Sequence, residues 1–277
     1  METLKILIPT DFSVQAEYAY VMVQKLAEKI NVDVHFLHVL SVPDTVTMDA
    51  QGKISTCGEI DVQYIDHQVS IANRNLVSLK NHYGESIQTH LKLGKVTDTI
   101  IQFAGDEHFD LIVMGTKGAW GIKEKVSGTE TQMIARKSPV PLLSLMCDRS
   151  DLAIHHLLLV HNFSLPKAEN LTLMHKILNA FNPKLHMLQI VSGEASVNKE
   201  GIEANMKQFA ALNSIVNFEC HIISDTDVEN GVIHFNQMHN MDMICIGTHG
   251  KGGILHQSAM EKMVNHLFKP IISFQLK

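Results

Sequence analysis

Short apolar runs alternate with longer stretches in which apolar residues return every three or four positions, and this alternation continues along the whole chain. Leu4 to Ile8 is one such run, ending in Pro9-Thr10-Asp11-Phe12-Ser13. It reads as a buried strand and a turn, with Ser13 capping the helix that follows. From Val14 to Ile30, Ala16, Ala19, Tyr20, Val23, Leu26, Ala27 and Ile30 form one core-facing helical stripe, and Val32 to Leu40 is a second strand. A strand–helix–strand unit in one sheet implies parallel strands and a right-handed crossover. Further helices are predicted over Asp61 to Tyr83, Val96 to Glu107 and about Thr129 to Lys137, and further strands over Ser86 to Leu93, Leu111 to Met114 and Val140 to Met146. Ser41 to Ile60, polar and carrying Pro43, Gly52 and Gly58, reads as a long loop. Such alternation predicts an open α/β sheet covered by helices on both faces, with ligands beyond the carboxyl ends of the strands where the strand order reverses.

The pattern occurs twice. Asp11-Phe12-Ser13 returns as Asn162-Phe163-Ser164, Asp110 to Thr116 (DLIVMGT) as Asp242 to Thr248 (DMICIGT), and Pro141 as Pro270, always in the same order. The chain therefore divides into two like domains, residues 1–147 and 152–277. The second copy is shorter, largely because it lacks a counterpart of the Ser41 to Ile60 segment. It is shorter again between the second glycine loop and Pro270, where Gln257-Ser258 stands in place of Gly128-Thr129.

Candidate chemistry concentrates after the strand at Leu111. Gly115, Gly118, Gly121 and Gly128 lead into a helix, and glycines beside a helix N-terminus let backbone amides approach an anion such as phosphate. Glycine-rich turns also follow parallel strands where nothing binds. The spacing, Gly115, two residues, Gly118, nine residues, Gly128 and then Thr129, resembles the ATP-binding loop of the universal stress protein family. The resemblance extends over nearly the whole chain, as a tandem of two such domains, and implies two Rossmann-like, adenine nucleotide alpha hydrolase-like domains related by a pseudo-twofold. The terminal strands Val140 to Met146 and Ile271 to Leu276 would be the pairing elements, since pairing removes the liability of an open apolar edge.

Residue by residue, the resemblance implies that Asp11 meets adenine, that Val39 contacts it through its backbone, and that Gly115, Gly118, Gly128 and Thr129 hold ribose and phosphates. Pro9, Thr10, Gly94, Met114, Lys117 and Thr131 complete the implied cofactor-binding set. Asp11 taken alone reads as a turn residue. Lys117, Lys123 and Lys125 either meet phosphate or are solvated, and Trp120 either covers a ligand or fills the site. The family resemblance implies ATP, with Mg²⁺, as a regulatory ligand hydrolysed slowly at most. In the second copy, Asn162 for Asp11 and Gln257 for Gly128 work against the same nucleotide pose.

Other classes are disfavoured. Lys and Arg number 23 against 29 Asp and Glu, for a net charge of −6, which argues against a nucleic-acid surface or an anionic membrane. No apolar run reaches the roughly 18 residues of a membrane span, and no signal-peptide core opens the chain, so a cytoplasmic protein is expected. Four scattered cysteines form no CxxC pair and read as reduced thiols. GxxxxGK, GxGxxG after the first strand and GxSxG are absent, so no catalytic residue is assigned. Of the 17 histidines, His155-His156 with His161, and His234 with His239, match no zinc spacing and read as surface or satisfied histidines, while Met238, Met241 and Met243 read as core filling. Partners expected are an adenine nucleotide, an unidentified protein and the chain's own second half in an intrachain pseudo-dimer, with room for a homodimer. A nucleotide-free interaction module and a slow ATPase are the alternatives.

Overall fold

The computed structural model describes residues 3–49, 51–57, 60–116, 130–163, 167–191, 198–249, 263 and 267–276. The first half runs β1 (Leu4–Pro9), α1 (Val14–Ala27), β2 (Val32–Ser41), β3 (Val46–Met48), β4 (Ile54–Thr56), α2 (Val62–Tyr83), β5 (Gln88–Gly94), α3 (Val96–Asp106), β6 (Leu111–Gly115), α4 (Glu130–Lys137) and β7 (Leu142–Leu145). The second runs β8 (His156–Val160), α5 (Thr172–Phe181), β9 (Lys184–Val191), α6 (Lys199–Leu212), β10 (Phe218–Ser224), α7 (Val228–His239), β11 (Met243–His249) and β12 (Ile271–Leu276).

Ten of these strands form one sheet in the order β10-β9-β8-β11-β12-β7-β6-β1-β2-β5. Neighbours are parallel throughout except β7 and β12, which meet antiparallel at its centre. Outward from that seam the two halves present the same sequence of strands, β7-β6-β1-β2-β5 and β12-β11-β8-β9-β10. The seam itself is symmetric, for Ser144 faces Ile271, Leu143 faces Ile272 and Leu142 faces Ser273. Each buried serine hydroxyl donates across it, Ser144 Oγ to the Ile271 carbonyl (3.4 Å) and Ser273 Oγ to the Leu142 carbonyl (3.5 Å). The terminal strands thus pair as the family resemblance implied.

Period-two alternation sends Leu4, Ile6 and Ile8 of β1 to one face of the sheet and Leu7 to the other. The first face packs against α1, α5 and α6 through residues such as Val23, Met174 and Phe209, and the second against α3, α4 and α7 through Ile100, Ile134 and Phe235. Both apolar layers include residues from each side of the seam, so each layer is shared by the two halves.

Three expectations need correction. The Ser41 to Ile60 segment contains an antiparallel hairpin, β3 with β4, whose Val46 and Ile54 are buried with Val42 and Ile65. Ser13 occupies the N-cap position of α1 without a capping side-chain bond, whereas Asp61 does cap α2 by accepting from Tyr64 N. Met241 and Met243 are buried, but Met238 is 67% exposed and fills no core.

Candidate functional site

β1 stops at Pro9, and the turn beyond it is fixed by its own side chains. Thr10 Oγ1 accepts from Phe12 N (2.9 Å), Asp11 Oδ1 accepts from Ser13 N (3.0 Å), and the His38 ring donates from Nδ1 to the Thr10 carbonyl (2.8 Å). Phe12 is thereby held at φ 63°, a left-handed conformation that costs a non-glycine residue about 1–2 kcal/mol. Its ring packs 4.6 Å from that of His38, which helps to offset the strain.

Beyond this turn lies a cavity of about 420 Å³, within the range of small-ligand sites. Pro9, Thr10 and Asp11 at the end of β1, Leu37, His38 and Val39 of β2, and Met114, Gly115 and Thr116 at the end of β6 line it. β1 has β2 on one side and β6 on the other, so the cavity sits at the carboxyl ends of the strands where the order reverses. Helix starts contribute Ser13, Gln15 and Ala16 at α1, Val96 at α3, and Glu130, Thr131 and Gln132 at α4, and Ile100, Ala135 and Ser144 complete the lining. Helix N-termini carry unpaired amides and partial positive charge, which favours an anionic ligand. Two carboxyl groups oppose that field. Desolvation, reinforced by the charge of Asp11, holds the Glu130 carboxyl above the ordinary carboxylate range.

Of the residues singled out in the sequence, Pro9, Thr10, Asp11, Val39, Met114, Gly115 and Thr131 come together around this cavity. Gly94 is not among its lining residues. It ends β5 at φ 143°, and a Cβ there would lie 2.8 Å from Thr99 Oγ1 at the start of α3. Gly115 has a packing role, since a Cβ on it would run into the Gln15 carbonyl oxygen and push α1 off the sheet. Lys117, Gly118, Trp120, Gly121, Lys123, Lys125, Gly128 and Thr129 lie outside the described residues. His38, Gln15 and Glu130 were missed. Glu130 could have been found as the first residue of the helix that follows the glycine loop.

The equivalent turn after β8 is packed with aromatic rings. Phe163 is fully buried, with its ring 5.1 Å from that of Phe209 of α6 and 4.9 Å from His161. Gln257 and Ser258 lie outside the described residues. All four cysteines are free thiols, as expected, and burial pushes Cys245 up to about 12. Among the described residues no helix is long and apolar enough to cross a membrane.

Comparison with known proteins gives a consistent answer. Residues 2–145 match the model of the universal stress protein family. Universal stress proteins MJ0531 and MJ0577 of Methanocaldococcus jannaschii are each 26% identical to half of this chain, over 79% and 92% of their own lengths. The crystal structure of a universal stress protein from Archaeoglobus fulgidus superposes with a TM-score of 0.72 at 19% identity, covering 98% of this chain and 96% of that one. A putative universal stress protein from Pseudomonas aeruginosa UCBPP-PA14 superposes at 0.57 with 15% identity, covering 99% and 93%. At those identities the two structures speak to the fold, and they do so along the full tandem.

Proposed function

The chain belongs to the universal stress protein family, and from that premise we propose that its first half binds ATP with Mg²⁺ as a regulatory ligand in a cytoplasmic stress response. The observation that carries this reading is the cavity of about 420 Å³ at the strand-order reversal, bordered by the N-terminal ends of α1, α3 and α4. The adenine would lie against Asp11 and the backbone at Val39, over the apolar side chain of Met114. The triphosphate would extend towards Thr131 and the loop that carries Lys117, Gly118, Gly128 and Thr129. Gly115 supports the site by keeping α1 close to β6, and Gly94 by permitting the turn into α3. Mg²⁺ would neutralise phosphate charge that Asp11 and Glu130 otherwise oppose.

This division of labour treats residues 1–147 as the nucleotide domain and 152–277 as a partner domain that does not take ATP in the same way. In this reading ATP acts as a conformational ligand, hydrolysed slowly at most. Protein released by denaturation is expected to yield close to one adenine nucleotide per chain. Ligand at one hundred times its dissociation constant stabilises a folded site by about 2.7 kcal/mol, so ATP with Mg²⁺ should raise the melting temperature by several degrees. Asp11→Ala should lose most of that shift.

The two carboxyls favour a second reading, in which the protein acts as a nucleotide-free interaction module. It requires that purified protein release no nucleotide and that ATP with Mg²⁺ leave the melting temperature unmoved.

A further inference from the structure

The sheet carries a second concentration of chemistry at its opposite edge, far along the strand order from the cavity. β9 and β10 are parallel neighbours in a register that sets His186 beside Glu219. Alternation along β10 returns His221 to the same face as Glu219. The outcome is a triangle of ligand atoms: His186 Nδ1 to His221 Nε2 is 3.0 Å, His186 Nδ1 to Glu219 Oε2 is 3.6 Å, and His221 Nε2 to Glu219 Oε2 is 3.8 Å. A point equidistant from these three atoms lies about 2 Å from each, the length of a zinc–nitrogen or zinc–oxygen bond. We propose that His186, Glu219 and His221 form a binding site for a zinc-class divalent cation.

The surroundings suit that role. Lys184 Nζ holds the other carboxylate oxygen, Oε1 of Glu219, at 2.6 Å, which fixes the carboxylate with Oε2 turned to the histidines. Its positive charge opposes a cation, so it acts as an orienting group that limits affinity. On the far side of the ring, His186 Nε2 lies 3.1 Å from His156 Nδ1. A proton on that Nε2 leaves the Nδ1 lone pair free for the ion, as the outer partner of a metal-bound histidine commonly arranges. His221 packs against Phe235 and His239 in the last turns of α7, where the negative end of the helix dipole favours a cation.

The first half supplies an internal control. His35 and His90 make the same cross-strand pair, with Nδ1 and Nε2 2.9 Å apart. Yet Gln88, rather than a glutamate, stands beside His35 in the register of β2 and β5. The nearby carboxylate, Asp33, meets the other ring nitrogen, His35 Nε2, at 3.0 Å. That pair therefore lacks a third, anionic ligand facing the shared space. His186, Glu219 and His221 are the single group of three such ligands found among the described residues.

The test uses the full chain, stripped with a chelator and kept free of nucleotide, because ATP itself binds divalent ions. Titration with Zn²⁺, followed by calorimetry and by competition with a chromogenic chelator, is expected to give one site per chain, and Mg²⁺ is expected not to compete. Glu219→Gln, which reproduces the arrangement of the first half at an exposed position, should weaken zinc binding at least tenfold without changing the circular dichroism spectrum. His221→Ala should abolish binding, and His90→Ala should leave it intact. The site is overturned if the wild-type chain binds no zinc, if Glu219→Gln binds as the wild type does, or if His90→Ala removes the bound ion.

Discussion

At the scale of single residues, Glu130 is the most consequential feature of the cavity. Its carboxyl is held above its usual value by desolvation and by Asp11, so the folded state binds the proton more tightly than the unfolded chain does. Stability is then fully present below the unfolded value of about 4.5 and is lost as pH rises through the raised folded value. Glu130→Gln should accordingly melt higher than the wild type at pH 7, by about 1–2 °C for a partly exposed group, and the difference should vanish under acid conditions. The same substitution removes an anion from beside the expected triphosphate and should tighten ATP binding, as titration of both proteins would reveal. Asp11 was legible in the sequence for two roles, ligand contact and turn residue. The turn role is realised in its bond to Ser13 N. The coupling of Glu130 to Asp11 was not legible, because it arises only when α4 is folded back over the end of β1.

The elements were easier to read than the contacts between them. Strands and helices of the α/β alternation lie within one or two residues of where periodicity put them, except at the C-terminus of α1, because buried runs and helical stripes are long enough to repeat. The β3–β4 hairpin escaped notice because three-residue strands cannot display period two above the polar composition of their surroundings. The His186–Glu219–His221 cluster escaped for a related reason: its members come from two strands, and only the register between β9 and β10 brings them together. Gly115 was read as a backbone that admits phosphate, and the structure adds a packing reason that no spacing rule conveys. A methyl group there meets the α1 backbone rather than a side chain that could move aside. Gly115→Ala is therefore expected to destabilise the protein by about 3 kcal/mol, or roughly 6–12 °C in melting temperature. A calorimetric scan that found it as stable as the wild type would mean that α1 slides freely over β6.

For the whole molecule, the decisive feature is the antiparallel pairing of β7 and β12. Each strand would otherwise be an apolar edge, and buried Leu142, Leu143, Ile271 and Ile272 show what that edge would expose. A chain ended after Cys147 should therefore self-associate through β7 and elute as a dimer by size exclusion with light scattering, whereas the same chain with Leu143→Lys should elute as a monomer. A monomeric truncated chain without that substitution would argue that the seam joins the halves only because they are linked. The tandem order itself was legible from repeated landmarks. The merging of both halves into one sheet with shared apolar layers was expected only through resemblance and required the register at Leu143 and Ile272 to be seen.

The seam also bears on how the two halves can diverge. Two copies of one polypeptide meeting at such a strand pair must carry identical residues at both ends, so any change improving one site is imposed on the other. Here the partners are joined by the few residues between Leu145 and His156, and their association is intramolecular, independent of protein concentration. Each end of the sheet is then free to drift alone: aspartate at 11 but asparagine at 162, glutamine at 88 but glutamate at 219. Covalent linkage has turned a symmetric scaffold into one whose two ends can differ in chemistry while keeping a single fold.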